Sequence, residues 1–229
     1  MLKAVIFDFD GVIVDSEPLH YRAFQELLKP EGLQFTWDDY MTFFVGFDDR
    51  DAFRTVFARA KQPLDDDKLK RLIEGKTVVF QQWVAESGVT AYPGVVELFR
   101  ALSGKYPVGL CSGALRSDVN SVLAKLGIAK AIDVFVTADD VHVSKPDPTC
   151  YRLCVQKLAD RYPTHGIQAG ECVAIEDTPS GIEAAKGAGL KVLAVSNSHP
   201  IHKLKDADRI VTSLADVLPT DLHRLTAEG

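Results

Sequence analysis

Near the start of the chain two aspartates, Asp8 and Asp10, sit one residue apart at the end of the apolar run 4–7. A run without polar side chains reads as a buried strand, and Gly11 lets the backbone turn as that strand ends. Strand alternation sets Asp8 and Asp10 on one side and Phe9 on the other. Two negative charges buried at a strand end are costly unless something offsets them, and a bound cation is the usual answer. The competing reading is a strand-end turn that happens to hold two aspartates. Three further places carry polar groups after apolar runs. Ser112 and Gly113 offer a hydroxyl and an unobstructed N–H just ahead of a helical pattern, which suits an anion and equally suits a helix cap. Lys145, followed by Pro146 and Pro148 in a stiffened loop, is either a fixed positive charge in a pocket or a surface lysine. Glu176 and Asp177 repeat the strand-end carboxylate pair ahead of Thr178-Pro179-Ser180-Gly181. Magnesium takes hard oxygen ligands of this kind, together with water and phosphate oxygens. A capped helix start would account for Glu176 and Asp177 alone, but not for both acidic pairs falling at strand ends.

Six apolar runs must position these groups: 4–7, Val108–Cys111, Val134–Val136, 172–175, 192–195 and Arg209–Val211. From the second onward they alternate with helical patterns such as Val95, Leu98, Phe99, Leu102 and Val119, Val122, Leu123, Leu126. That alternation predicts an α/β fold with a parallel sheet covered on both faces and right-handed crossovers. In such sheets ligands bind beyond the carboxyl ends of the strands, where the acidic pairs lie. Residues 16–89 break the alternation with helical stripes only: Leu19, Ala23, Phe24, Leu27; Phe53, Val56, Phe57, Ala60; and Leu69, Leu72, Ile73. They read as a helical cap inserted after the first strand, with a second hinge at residues 88–94. Asp65-Asp66-Asp67 reads as a helix start, where carboxylates are favoured.

With 229 residues, 46% hydrophobic and 25% charged, the chain has the make-up of a globular protein large enough for a core and an inserted domain. A net charge of −6 without a basic stripe argues against nucleic acid as a partner. No apolar stretch approaches the ~20 residues that span a bilayer, so no membrane role is expected. The first strand begins almost at once, so no leader is expected either. Cys111, Cys150, Cys154 and Cys172 lack any C-x-x-C spacing and read as packing thiols in a reducing cytoplasm. His142, His165, His199, His202 and His223 show no convergent ligand spacing and read as surface residues.

Asp8-Phe9-Asp10-Gly11-Val12-Ile13-Val14-Asp15-Ser16, then Ser112, then Lys145-Pro146, then Glu176-Asp177, in that order, resembles the haloacid dehalogenase-like superfamily. The resemblance covers essentially the whole chain. It is strongest to the branch of β-phosphoglucomutase, phosphoglycolate phosphatase and related sugar-phosphate phosphatases. It implies a Rossmann-like core of residues 1–15 and 90–229 with a helical cap of residues 16–89. Dehalogenases of the superfamily lack the second aspartate, so Asp10 points to phosphoryl transfer. The resemblance implies Asp8 as nucleophile, Asp10 as general acid and base, and Ser112, Gly113 and Lys145 as phosphate-binding groups. It implies Mg²⁺ held by Asp8, Asp10 and Asp177, with Glu176 supporting.

The resemblance also gives His20 and Lys76 a part in coupling cap to core, and Arg50 a distal phosphate. Each has an ordinary alternative: His20 a partly exposed helix histidine, Lys76 a surface lysine, Arg50 a partner of its acidic neighbours. The mutase pattern has a Ser-Lys pair where this chain has Ala114 and Leu115, with Arg116 next door to compensate. The spacing from Gly46 to Arg50 is one residue longer, and Asp48 and Asp49 oppose a second phosphate. The expectation is a monomeric, cytoplasmic, Mg²⁺-dependent phosphatase of a small phosphorylated metabolite, either a sugar phosphate or a phosphoglycolate-like acid. The alternatives are β-phosphoglucomutase, inorganic pyrophosphatase on the same core, and a sugar-phosphate sensor that kept the fold without the reaction.

Overall fold

The computed structural model describes residues 1–44 and 47–227. Six strands form one sheet: β1 (Ala4–Asp8), β2 (Val108–Cys111), β3 (Val134–Val136), β4 (Cys172–Glu176), β5 (Lys191–Val195) and β6 (Arg209–Val211). Their order is β3-β2-β1-β4-β5-β6, and every pairing is parallel. The chain thus builds outward from β1 to β3, then returns to lay β4 against the other side of β1. The seam between β1 and β4 is the topological switch point, where such sheets open a crevice at their carboxyl ends. The register sets Asp8 level with Cys111 and Phe7 level with Ile175, so Asp8 and Glu176 end their strands side by side.

Both sheet faces are covered, as the continuous apolar strands require. Val5, Phe7 and Phe9 pack with α5 (Val95–Leu102), α6 (Arg116–Leu126) and α9 (Pro219–Ala227). Ala4 and Ile6 pack on the other face with α7 (Thr149–Arg161) and α8 (Pro179–Gly187). Phe7 and Phe99 stack at 4.3 Å. All four cysteines are buried free thiols.

Among the described residues, four α-helices lie between β1 and α5: α1 (Glu17–Leu28), α2 (Trp37–Phe43), α3 (Asp49–Arg59) and α4 (Asp66–Ser87). They share their own core of Phe24, Leu28, Tyr40, Phe53, Phe57 and Leu72. Asp65 caps α4 by accepting from the Lys68 N–H at 2.7 Å, as the acidic run predicted. The chain segments entering and leaving these helices run antiparallel and touch, with a bridge between Val14 and Ala91 and the Tyr92 N–H donating to the Ile13 carbonyl at 3.0 Å. The sequence stripe on α1 is shifted in the structure: Glu17, His20, Ala23, Phe24 and Leu28 are buried, while Leu19 and Leu27 are half-buried. Polar Glu17 and His20 take inward places that a purely apolar pattern assigns to leucines. No helix among the described residues is long and apolar enough to cross a membrane.

Candidate active site

The switch point holds the predicted carboxylates. Asp8 ends β1, Glu176 ends β4 and Asp177 follows it, with ligand atoms of all three within 4.8 Å of one another. Lys145 reaches in from the loop before α7. Its Nζ lies 2.6 Å from Asp8 Oδ1 and 2.6 Å from Glu176 Oε1. Lys145 is therefore a buried charge, not a surface lysine. Burial alone would lower its pKa, but the Asp8 and Glu176 charges outweigh that and raise it, so it stays protonated. The Tyr151 hydroxyl donates to Glu176 Oε1 at 2.6 Å, while the Asp177 N–H donates to Oε2 at 3.1 Å. Glu176 is thus occupied as a structural acceptor. By contrast, both Asp177 carboxylate oxygens are buried and lack a hydrogen-bond partner. Burial, then the neighbouring carboxylates, push the pKa of Asp8 and of Asp177 up.

Close packing enforces this arrangement. Gly11 has φ +76°, and a Cβ there would sit 1.9 Å from Asp177 Oδ2. A Cβ at Gly181 would sit 2.0 Å from the Glu176 carboxylate. Thr178 caps α8 by accepting from the Gly181 N–H at 3.0 Å, which starts that helix at Pro179.

Asp10 lies just past β1 and faces the helices α1–α4. The Ser16 hydroxyl donates to Asp10 Oδ1, and His20 Nε2 is 3.3 Å from the same oxygen. Lys76 Nζ is 2.8 Å from His20 Nδ1. An ammonium only donates, so Nδ1 must accept, and Nε2 carries the proton given to Asp10. Burial acts to raise the Asp10 pKa, but His20, Ser16 and Lys76 together bring it below the ordinary aspartate value. Lys76 is 1% exposed, also paired with Asp49 at 2.5 Å, and its Nζ stands 4.6 Å from the centre of the Phe24 ring. His20 stacks on Phe80 at 4.3 Å. The exposed alternatives for His20 and Lys76 are therefore corrected: both are buried.

Asp8, Asp10, His20, Lys76, Gly113 and Lys145 line one cavity. Ser112 opens instead onto a smaller adjoining cleft that shares Gly113 and Lys145. Its hydroxyl accepts from the Ala114 N–H at 2.9 Å, and since α6 begins at Arg116, Ser112 is not that helix's cap. Arg50 lines neither space. Its guanidinium binds Asp48 at 2.5 Å and the Val141 carbonyl at 2.8 Å. In this geometry Arg50 ties α3 to the loop that leads to Lys145. Ser144, next to Lys145, donates to Asp51 Oδ2 at 2.6 Å in the same seam. Arg116 is similarly taken up, with Asp140 at 2.6 Å. Gly46, the other end of the cap-loop spacing, lies outside the described residues.

Sequence reasoning missed Glu17 and Tyr40, which also line the cavity and share a hydrogen bond of 2.5 Å. Glu17 precedes His20 by three positions on α1, and that spacing shares a helix face. Nothing local marks Tyr40.

The family model of the haloacid dehalogenase-like hydrolases matches residues 5–195. A phosphorylated carbohydrates phosphatase of Thermotoga maritima is 30% identical over 99% of both chains. The fructose-1-phosphate phosphatase YqaB of Escherichia coli is 30% identical over 83% of this chain and 95% of its own. Among solved structures, CbbY of Rhodobacter sphaeroides in complex with phosphate superposes with a TM-score of 0.83 at 25% identity, covering 94% of this chain and 96% of that one. The β-phosphoglucomutase of Clostridium difficile shares the fold over 100% of this chain and 98% of that one, with a TM-score of 0.87 at 23% identity. A match that runs from the first strand, through Asp8 and Asp177, to the end of β5 leaves no doubt of kinship: the chain belongs to the haloacid dehalogenase-like hydrolases, in the branch shared by sugar-phosphate phosphatases and β-phosphoglucomutases, and is by type a phosphoric monoester hydrolase.

Proposed function

We propose that this chain is a Mg²⁺-dependent phosphatase of a small phosphorylated metabolite, working through an aspartyl-phosphate on Asp8. The observation that carries the reading is the pairing of two differently placed carboxylates in one cavity. Asp8 is held against a lysine at the sheet's switch point, while Asp10 is held by Ser16 and His20. The first suits a nucleophile and the second a proton carrier.

The residues fit a divalent cation. Three clustered carboxylates face one ammonium, which leaves two negative charges, and the buried Asp177 oxygens have no well-formed hydrogen bond, with only the Ser198 hydroxyl nearby. Asp8, Asp177 and the Asp10 carbonyl would hold Mg²⁺, with Glu176 supporting from behind, and the ion would supply positive charge to phosphoryl oxygens beside the nucleophile.

The chain's own groups account for the rest. A carboxylate approaching a phosphate dianion is repelled by about 4 kcal/mol per unit charge at 4 Å and an effective dielectric of 20. Lys145, already locked beside Asp8, offsets part of that repulsion without moving. The Ser112 hydroxyl and the Gly113 N–H bind phosphoryl oxygens. Asp8 attacks phosphorus and the P–O bond to the leaving group breaks; Asp10 gives that oxygen its proton. Asp10 then takes a proton from the water that attacks the aspartyl-phosphate, with Ser16 and His20 holding its carboxylate in place. Residues 16–89 act as the cap, which brings His20 and Lys76 onto Asp10 and limits water.

One observation favours a second reading, transfer to a sugar hydroxyl. The Lys76–His20–Asp10 chain links cap to proton carrier, as in the mutase-like relatives that the sequence resembles. Ala114 in the cavity wall and the engaged Arg50 and Arg116 weigh against a two-phosphate substrate. The test is phosphate release from sugar phosphates, phosphoglycolate and pyrophosphate, with Mg²⁺ and then EDTA. β-Glucose 1-phosphate with a trace of the 1,6-bisphosphate is assayed in parallel for glucose 6-phosphate. Metal-dependent phosphate release is expected. Glucose 6-phosphate without net phosphate release would replace the phosphatase with the mutase, and ligand binding without either product would mark a sensor.

A further inference from the structure

Lys145 is the positive charge that the proposed reaction sets beside Asp8, yet Asp8 and Glu176 hold only its tip. A lysine ammonium rides on a flexible four-carbon stem, so it is only as well placed as the backbone at its root. That backbone belongs to a loop in which His142 and Val143 are exposed, so burial fixes little of it.

Hydrogen bonds fix it instead. Among the described residues, those that reach residues 141–144 from another part of the fold come from α3 alone. Arg50 Nη2 donates to the Val141 carbonyl at 2.8 Å, and the Ser144 hydroxyl donates to Asp51 Oδ2 at 2.6 Å. Asp48 organises both contacts. It is 4% exposed, and it accepts from Arg50 Nε at 2.9 Å through Oδ2 and from the Asp51 N–H at 2.9 Å through Oδ1. The same helix start lies over Gly113, where a Cβ would meet the Phe47 carbonyl oxygen at 3.6 Å and the Asp48 nitrogen at 3.8 Å. Asp48, Ser112, Gly113, Ser144 and Lys145 accordingly line one cleft. One end of α3 thus touches both core segments that the proposed reaction assigns to the phosphoryl group. Of its contacts, the Ser144–Asp51 bond acts nearest the lysine, since one peptide unit joins Ser144 to Lys145, and its acceptor is charged.

We infer that Ser144 and Asp51 are positioning residues for Lys145, and that the phosphate site is complete only while α3 is docked on the loop. This rests on the phosphatase reading and adds to it: the helices inserted after β1 do more than limit water, because they set the charge that the phosphoryl group meets.

Binding of inorganic phosphate to the full chain with Mg²⁺, followed by calorimetry, reads that placement without turnover. A hydrogen bond to a charged group is worth about tenfold or more in an equilibrium constant, and part of this reaches the lysine, so Ser144→Ala and Asp51→Ala should each weaken phosphate by about three- to tenfold. The double variant should be no weaker than the weaker single one, because the two side chains share one bond. Ser144→Thr, which keeps the hydroxyl, should return the affinity to within about twofold of the parent. In a Lys145→Ala background, Ser144→Ala should change nothing further, because its effect travels through the lysine. A merely structural serine would instead lower Tm and weaken phosphate in either background. Parent-like affinity in Ser144→Ala and Asp51→Ala overturns the inference, and so does a full further loss beside Lys145→Ala. Where Lys145→Ala binds too weakly to measure, the Ser144→Thr rescue decides, and should one single variant fail to fold, the other does. An unaltered chain that neither binds nor releases phosphate would sink the phosphatase reading and the anchor together; a chain that binds phosphate as tightly without the Ser144–Asp51 bond would sink the anchor alone.

Discussion

Replacing Asp8 with asparagine should abolish turnover and at the same time stabilise the metal-free protein. Asp8 is buried with Glu176 and Asp177 on one side and Lys145 on the other. At an effective dielectric of 20, each like-charge pair at the 4.8 Å outer limit costs about 3.5 kcal/mol, and the Lys145 pair at 2.6 Å returns about 6 kcal/mol. Two repulsions and one attraction nearly cancel, so removal of the carboxylate from water decides the sign, and it is unfavourable. Direction and cause agree with the raised pKa of Asp8, in which burial leads and Glu176 follows. Asparagine removes the charge, leaves Lys145 bound to Glu176, and brings an amide donor close to the unpartnered Asp177 oxygens. A gain of about 2 kcal/mol is expected, or about 4–8 °C in Tm for a chain of this size. The assay is thermal unfolding of both proteins in EDTA from pH 3.5 to 8, beside phosphate release with Mg²⁺. A folded-state pKa above the unfolded one means that stability is fully present below the unfolded aspartate value and is lost as pH rises through the folded one. The Tm advantage of Asp8→Asn should therefore vanish near the acid end and grow toward neutrality. A lower Tm at pH 7 would show that the Lys145 attraction dominates and would refute the charge argument; retained phosphate release would refute the nucleophile.

Three other outcomes follow from the same geometry. Arg50→Ala removes the tie between α3 and the Val141 carbonyl, so kcat should fall several-fold on every substrate alike; a loss confined to KM for bisphosphates would return Arg50 to the distal-phosphate role. Gly11→Ala forces a Cβ to within 1.9 Å of Asp177 at a positive φ, and urea unfolding should show a loss of more than about 2 kcal/mol; a stability within error of the parent would contradict the close packing. His20→Asn withdraws one of the groups that lower the Asp10 pKa, so the acid limb of the kcat profile, set by Asp10 as base in hydrolysis of the aspartyl-phosphate, should move to higher pH; an unmoved limb would mean that Asp10 is not that base.

The core was legible in the sequence because its chemistry sits where a one-dimensional pattern ends. A parallel strand leaves its last residues at one edge of the sheet, so Asp8, Glu176 and Asp177 were brought together as soon as runs 4–7 and 172–175 were recognised as strands. The strands came out within one residue of expectation at each end. Lys145 needed the loop's return to β1: the prolines around it marked a stiff loop, but only its place in the ordered motif set favoured the pocket over the surface. Cap residues were harder for a different reason. A helical stripe tells which side chains share a face, but not whether that face meets its own domain or the other one. On α1 the inward face is polar at Glu17 and His20 because it meets Asp10, so reading apolar residues alone put Leu19 and Leu27 inward and left His20 between a part beside the core and a partly exposed helix position. Arg50 shows the limit most sharply. Its resemblance to a phosphate-binding arginine concerned residue type and order, whereas its partner depends on where the N-terminus of α3 meets a core loop some ninety positions away in sequence. The reacting end of the site follows from strand ends; the rest of the cavity wall follows from how α1–α4 pack over the sheet's carboxyl edge. That is why the reaction class could be read before the fold was known, whereas Glu17, Tyr40 and Lys76 came together in one cavity only in the structure.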